Sequence, residues 1–398
     1  MASANAAPWK AAGITSTNRK IGVSKMQAAL ADAKRLIIKV GSALLVDETT
    51  GKLRRAWLEA LADDIALLRE RGVEVIVVSS GAIAMGRRLL GLDHRTISLA
   101  DKQAAAATGQ ISLSQVWQEA LGRNGLTMAQ VLVTLEDMEG RRRYLNARGT
   151  LNALLAHGAV PLINENDTVA TEEIRFGDND RLGAKVAHMI SADTLVLLSD
   201  IDGLYTADPR KNPDAKLIPE VRELTPDIMA MAGAAPTMYS SGGMVTKFQA
   251  AEIAMKSGCR MIIARGTIYH PLKAQLEGAP NTVFLPSESP LAARRHWIAT
   301  SLSAPGAIIV DDGAANAMRA GKNLLAAGIS GVDGGFKHGD AVRVLDDKGH
   351  EVARGITSYS AEETRLLMGH ASADIEATLG FTRGNAVIHS DDLVVAEG

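Results

Sequence analysis

Two lysines and two clusters of amide and carboxylate side chains carry the chemistry available to this chain. The stretch from Ala159 to Ile190 reads AVPLINENDTVATEEIRFGDNDRLGAKVAHMI. Its opening apolar run, Ala159 to Ile163, has the length and closure of a buried strand. It drops into Asn164, Glu165, Asn166 and Asp167. After a polar excursion, Gly177, Asp178, Asn179 and Asp180 lead into a helix expected from Arg181 to Ile190. Two such clusters at the edges of apolar elements could face one pocket. Asn and Asp are also ordinary turn formers and helix caps, so either cluster alone reads equally well as a turn.

Lys39 stands one residue before the apolar end of RLIIKV (Arg35 to Val40), ahead of Gly41-Ser42. A strand ending in Gly-Ser exposes backbone N–H groups that can cradle phosphate. Taken alone, Lys39 would read as an edge-strand lysine reaching solvent. Ser79-Ser80-Gly81-Ala82 follows a second apolar run, Val73 to Val78, and leads into a helix from Ile83 to Leu90. Free N–H groups and the positive end of a helix dipole there favour an anion. Lys247 lies in the first turn of a helix behind Ser240-Ser241-Gly242-Gly243-Met244-Val245-Thr246. Neither lysine has the spacing of a Walker A loop.

The elements that must position these groups alternate between strand and helix. Helices are expected at Arg55 to Arg71, Asp101 to Leu121 and Arg141 to His157, and strands at Leu126 to Thr134 and Thr194 to Leu198. The alternation implies an α/β fold with a largely parallel sheet covered on both faces. In such sheets ligands bind beyond the strand C-termini. Lys39, Ser80, Asn164 and Asp167 all fall near those ends. The Arg141-Arg142-Arg143 run reads as a solvated first turn. Arg294-Arg295-His296-Trp297 reads as packing or docking in an interdomain segment. His188 reads as a packed histidine, and Cys259 as core.

At 398 residues the chain exceeds the size at which one core stops growing, so two domains are expected. A single cysteine excludes an intramolecular disulfide framework and suits a reducing, cytoplasmic compartment. No apolar run is long enough for a membrane span, and no His/Cys/Asp spacing forms a zinc site. From Ser303 to Gly398 eight Lys and Arg face fourteen Asp and Glu, a net charge of −6. That acidic tail argues against nucleic acid as a partner. Residues 1–33 are Ala-rich with basic residues and lack a secretory core; they read as a disordered extension without a function.

The ordered set IKVGSALL, VVSSGAIAMG, INENDTVAT, FGDND, SDIDGLYTADPR and SGGMVTK, spanning about Arg35 to Pro286, resembles the amino acid kinase family. Within it, the second and third segments resemble the branch that phosphorylates glutamate. The tail segments GAANAMRAGKNLLAAGI, GGFKHGDAVRVLDDKGHEVARGI and AVIHSDDLVV resemble a PUA domain. The resemblance implies an amino acid kinase-like sheet sandwiched by helices over residues 34–290, a linker at 291–302, and a small β-rich PUA-like domain over 303–398. It implies ATP-dependent phosphorylation of the L-glutamate γ-carboxylate to L-glutamyl 5-phosphate plus ADP, the first step of proline biosynthesis.

By the same resemblance, Lys39 and Lys247 stabilise the transferring phosphoryl group and Asp180 orients them. Asp178 is a weaker candidate for that work or for the metal's water shell. Ser80, Gly81 and Ala82 hold the substrate α-carboxylate, Asp167 pairs with its ammonium, and Asn164 and Asn179 supply amide contacts. Lys39, Gly41, Ser199, Asp200 and the loop Ser241, Gly242, Gly243, Met244, Val245, Thr246 and Lys247 hold ATP. Mg2+ is carried by the phosphates, with no protein ligand assigned. Ser-Ser ahead of Gly-Gly departs from the family's usual Thr or Gly and leaves that loop's contacts open. Feedback inhibition by proline and a dimer or tetramer are also implied. The competing readings are a family member acting on aspartate, acetylglutamate or UMP, an RNA-binding protein acting through its PUA module, and an inactive metabolite sensor.

Overall fold

The computed structural model describes residues 30–47, 50–92, 98–170, 178–231, 243–301 and 304–396, without the side chains of residues 178, 296, 297 and 299–301. Expectations about residues 1–29 therefore lie outside the described residues. Leu30 and Ala33, at the end of the segment expected to be disordered, are buried in the first hydrophobic core.

The larger domain is built on β1 (Arg35–Val40), β2 (Glu74–Ser79), β3 (Met128–Val133), β4 (Val160–Glu165), β5 (Thr194–Ser199), β6 (Glu220–Val221), β7 (Arg260–Arg265) and β8 (Asn281–Phe284). They form one sheet in the order β3-β4-β2-β1-β5-β7-β8-β6. Every pairing is parallel except β7 with β8. The helices that matter for the site are α1 (Arg55–Glu70), α2 (Ala82–Leu89), α3 (Leu99–Gly122), α4 (Arg141–Ala156), α5 (Asp178–Met189) and α6 (Met244–Lys256).

Strand alternation sorts side chains to two faces. Leu36, Ile38 and Val40 of β1 join Trp57, Leu61 and Ile65 of α1 and Leu113 and Trp117 of α3 in one core. Ile37 of β1 joins Leu182 and Val186 of α5, Ala250 and Ala251 of α6, and Leu151 of α4 in the other. Lys39 shares the parity of Ile37, so it projects on the side covered by α5 and α6. By the same rule Asn164 shares the parity of Leu162 and faces the α3 side of the sheet.

Three glycines set how closely the helices approach their neighbours. A Cβ on Gly86 of α2 would lie 1.7 Å from the Ala105 carbonyl oxygen, and one on Gly109 of α3 would lie 1.9 Å from that of Ala82. The α2–α3 contact is therefore a backbone-to-backbone contact that only glycine permits. Gly183 of α5 lies over the Lys39 stem, where an added Cβ would stand 3.8 Å from Cβ of Lys39.

The C-terminal domain follows α7 (Pro290–Ser301). It holds β9 (Gly306–Val310), β10 (Ile329–Gly334), β11 (Ala341–Asp346), β12 (Glu351–Thr357) and β13 (Ile388–Val395) in the order β10-β9-β11-β12-β13. The hairpin expected around Asp-Lys-Gly is present: β11 and β12 pair antiparallel, and Gly349 takes φ 83°.

The two domains meet at α4. Asp392 of β13 accepts two hydrogen bonds from Arg148 of α4, at 2.8 and 3.0 Å, and one from Arg294 of α7 at 2.7 Å. Arg294 is thus a docking residue, as the sequence suggested. Arg141 is not fully solvated, contrary to expectation, because its Nε donates to the Gly339 carbonyl. Leu145 presses on Gly339 so closely that a Cβ there would sit 2.0 Å from Leu145 Cδ1. His188 stacks at a tilt on Tyr144, centroids 6.3 Å apart, and burial together with Arg294 and Arg148 disfavours its protonation. Cys259 is fully buried and its thiol is pushed far up by desolvation, as befits core.

Candidate active site

The C-terminal edge of the sheet collects the chemically capable residues from four strands and three helices. Lys39 Nζ lies 2.7 Å from Oδ1 of Asp180, and Lys247 Nζ lies 3.4 Å from Oδ2 of the same carboxylate. Residues 208 positions apart in sequence are thereby joined through one acid. Asp180 is 1% exposed and Lys39 8%, so little water screens this contact. Burial alone would raise the Asp180 pKa, but the charges of Lys39 and Lys247, with hydrogen bonds from Lys39 and Thr246, outweigh it and hold the carboxyl below its ordinary value. The Thr246 hydroxyl lies 3.0 Å from Asp180 Oδ2 and 2.9 Å from the Gly243 carbonyl.

The helix bounds matter here. The sequence placed the start of α5 at Arg181, with Asp178, Asn179 and Asp180 in a preceding loop. The observed helix starts at Asp178, so all three belong to its first turn. The first turn has N–H groups without intrahelical acceptors and the positive end of the macrodipole. The α2 and α6 helices also start at this edge, after Gly81 and Gly243. The N-termini of α5 and α6 and two ammonium groups meet at Asp180, and α2 starts beside the neighbouring Asn179 through Ser80, an arrangement suited to a multiply charged anion. Gly81 takes φ 118°, a value an L side chain rarely adopts, which lets the chain turn sharply from β2 into α2.

A second set lies beside the first. Asn179 Nδ2 donates to Ser80 Oγ at 2.6 Å and to Asn164 Oδ1 at 3.1 Å. Asn164 Nδ2 donates in turn to Gln110 Oε1 at 2.9 Å. Asn164 was expected in the loop beyond β4; it belongs to the strand, which runs on to Glu165 because β3 pairs with it to that point. Asp167 is 8% exposed, and desolvation pushes its carboxyl up to about 6 with no cation among the described residues to oppose it. A buried acid left without a cation is the natural receptor for a ligand's ammonium group.

Among the nucleotide candidates, Gly41 follows β1 so closely that an added Cβ would lie 3.8 Å from Lys39 Nζ. Ser199 is buried at the end of β5 and donates to Asp200, which is exposed and lies 3.7 Å from Arg210. Met244, Val245 and Thr246 form the first turn of α6 behind Gly243. Ser241, Gly242 and the Asp178 side chain lie outside the described residues. Glu165 and Asn166, with Thr134, Asp137 and Arg143, line a cavity of about 410 Å3 that contains neither lysine.

Gln110 escaped the sequence reading. It sits in an Ala-rich helix, and only its contact with Asn164 across the fold reveals it. Among the described residues no group of three or more His, Cys, Asp or Glu could hold a metal ion. No described helix is long and apolar enough to cross a membrane.

Residues 34–265 match the amino acid kinase family, and residues 306–379 match the PUA domain. The chain is 59% identical over 366 residues to glutamate 5-kinase of Paramagnetospirillum magneticum, covering 92% of this chain and 99% of that one. It is 55% identical over 370 residues to glutamate 5-kinase of Allorhizobium ampelinum, covering 93% and 94%. It is 55% identical over 359 residues to that of Rhodospirillum rubrum, covering 90% and 96%. The chain belongs to the amino acid kinase family and, within it, to the glutamate 5-kinases that end in a PUA domain.

Proposed function

We infer that this chain transfers the γ-phosphoryl group of ATP to the γ-carboxylate of L-glutamate, giving L-glutamyl 5-phosphate and ADP. The observation that carries the reading is the meeting of Lys39 and Lys247 on Asp180, 2.7 and 3.4 Å away, at the N-termini of α5 and α6.

The acceptor needs no general base, because a carboxylate with an ordinary pKa of about 4.3 is already ionised at neutral pH. What remains is to hold two anions in line and to compensate their charge. Lys39 and Lys247 supply that compensation, and Asp180 keeps both ammonium groups aimed at one point. Neutralising them through Asp180 in the resting protein also lowers the cost of holding two cations close together. The N-termini of α5 and α6 contribute fixed partial positive charge without reorganisation. Gly41, Ser199, Asp200 and residues 241–247 hold the nucleotide.

Glutamate's α-carboxylate is held at the turn Ser80-Gly81-Ala82, where α2 begins. Its ammonium pairs with Asp167, with Asn164 and Asn179 completing the polar contacts. The described acids do not form a metal cage, and Asp180 is already committed to two lysines. Mg2+ would be carried on the nucleotide phosphates, where it would neutralise part of their charge. Asp178 remains a candidate for its water shell. Inhibition by proline, assembly into a homo-oligomer and a cytoplasmic location complete the reading.

The test is ADP release assayed across glutamate, aspartate, acetylglutamate and UMP, with and without proline, together with hydroxylamine capture of the acyl phosphate. Glutamate-dependent hydroxamate is expected. ADP release driven by another acceptor, with none from glutamate, would refute the assignment.

A further inference from the structure

We propose that Gln110 is a positioning residue that fixes the hydrogen-bond polarity of the glutamate pocket through Asn164 and Asn179. The proposal rests on the assignment of Ser80, Asn164 and Asn179 to the substrate's amino-acid end.

An asparagine amide has nearly the same shape when its oxygen and nitrogen are exchanged, so its orientation is set by its neighbours. Here the chain of neighbours ends at the Ser114 hydroxyl. The Ser114 hydroxyl donates to the Gln110 carbonyl four residues back, at 2.9 Å. With its proton on that carbonyl it accepts from the Gln110 side chain, whose Nε2 lies 3.3 Å away. Gln110 must then present Oε1 to Asn164, which answers with Nδ2 at 2.9 Å. Asn164 therefore turns Oδ1 to Asn179, and Asn179 meets it with Nδ2 at 3.1 Å. The second proton of that nitrogen goes to Ser80 Oγ at 2.6 Å.

Two groups are left over, with defined character. Asn179 has used both N–H protons, so it offers the pocket only Oδ1, an acceptor. Ser80 has accepted a hydrogen bond, so its own O–H proton is available to donate. An acceptor for an ammonium group and a donor for a carboxylate are the pair that an α-amino acid needs. Reversing any amide in the series would set N–H against N–H, or lone pair against lone pair. Backbone packing holds the anchor in register: Gly109, adjacent to Gln110, fits against the Ala82 carbonyl with no room for a Cβ. The helix carrying Gln110 is thus locked to the turn that carries Ser80.

The experiment compares Gln110→Leu, Gln110→Met and Gln110→Glu in the full-length enzyme. Leu and Met remove the acceptor; Glu keeps one, and the Ser114 hydroxyl can turn to donate to its second oxygen. The expected result is a glutamate KM raised about five- to tenfold in Gln110→Leu and Gln110→Met, the loss of one hydrogen-bond anchor. The KM for ATP and kcat should stay within about twofold, and at pH 8 Gln110→Glu should return the glutamate KM to within about twofold of the parent. Unchanged KM in both apolar variants, or a raised KM that Glu does not restore, would overturn the proposal. Should Leu fail to fold, the Met and Glu pair decides. Ser80→Ala and Asn179→Ala, measured alongside, separate the two claims. If they raise the glutamate KM and the Gln110 variants do not, the relay is wrong and the pocket stands; if none does, the pocket assignment falls with it.

Discussion

Replacing Asp167 by Asn should stabilise the protein while crippling substrate binding. The side chain keeps its shape and loses its charge. In the substrate-free protein desolvation pushes the Asp167 carboxyl up to about 6, from 3.8 in the open chain. Between those values the folded state binds the extra proton, so folding stability falls as pH rises through that window and the cost is complete above about pH 6. A shift of roughly 2 units corresponds to about 3 kcal/mol at 1.36 kcal/mol per unit. Relaxation around the charge makes about 1–3 kcal/mol the expected gain for Asn at pH 7.5. Urea unfolding of both proteins at pH 4.0, 5.0, 6.0 and 7.5, without substrates, measures it. The gap should be small at pH 4.0, open between pH 4 and 6, and then level off. In the same protein the KM for glutamate should rise at least tenfold, since the ammonium group loses its counter-charge. A variant that is less stable than the parent at pH 7.5, or a gap independent of pH, would refute the reasoning.

Asp180→Asn leaves Lys39 and Lys247 without the acid that aligns them; kcat should fall by about a hundredfold or more with a smaller change in either KM, measured by steady-state kinetics. Asp392→Asn should cost about 2–4 kcal/mol at the domain seam. Burial disfavours the Asp392 charge, but Arg148 and Arg294 outweigh burial and hold its carboxyl low. That stabilisation is present above about pH 4 and lost as pH falls through the folded-state value, so calorimetry should show parent and variant converging in acid. Gly109→Ala should lower stability by about 3 kcal/mol or more, or abolish folding, because its Cβ would meet the Ala82 carbonyl at 1.9 Å. By contrast Gly149→Ala, on an exposed face of α4 with nothing within 4 Å of the new carbon, should raise the unfolding free energy by up to about 1 kcal/mol.

The order of strands and helices was readable because apolar runs and their closures are local. The bounds erred where tertiary pairing decides: β4 extends through Asn164 because β3 pairs with it, and α5 begins at Asp178 because Asp180 and Asn179 find partners across the sheet. Lys39 and Lys247 were recognisable as types at strand and helix ends, but their meeting on one carboxylate is a fact of three dimensions. Strand parity alone explains Lys39, once Ile37 is known to face α5. Gln110 could not be found locally, since a glutamine in an Ala-rich helix carries no sign of the asparagine 54 positions away that it contacts. The role of Arg141 was likewise hidden, because its acceptor is a backbone carbonyl in another domain.

The most direct test of the central claim is a double-mutant cycle of Lys39→Ala and Lys247→Ala, read as the single-turnover rate of hydroxylamine-trapped acyl phosphate. If both ammonium groups act on one phosphoryl group, each single change should slow the reaction by about a hundred- to a thousandfold. The double change should then cost clearly less than the product of the two. Near-normal turnover in either single variant, or fully multiplicative losses, would contradict the account.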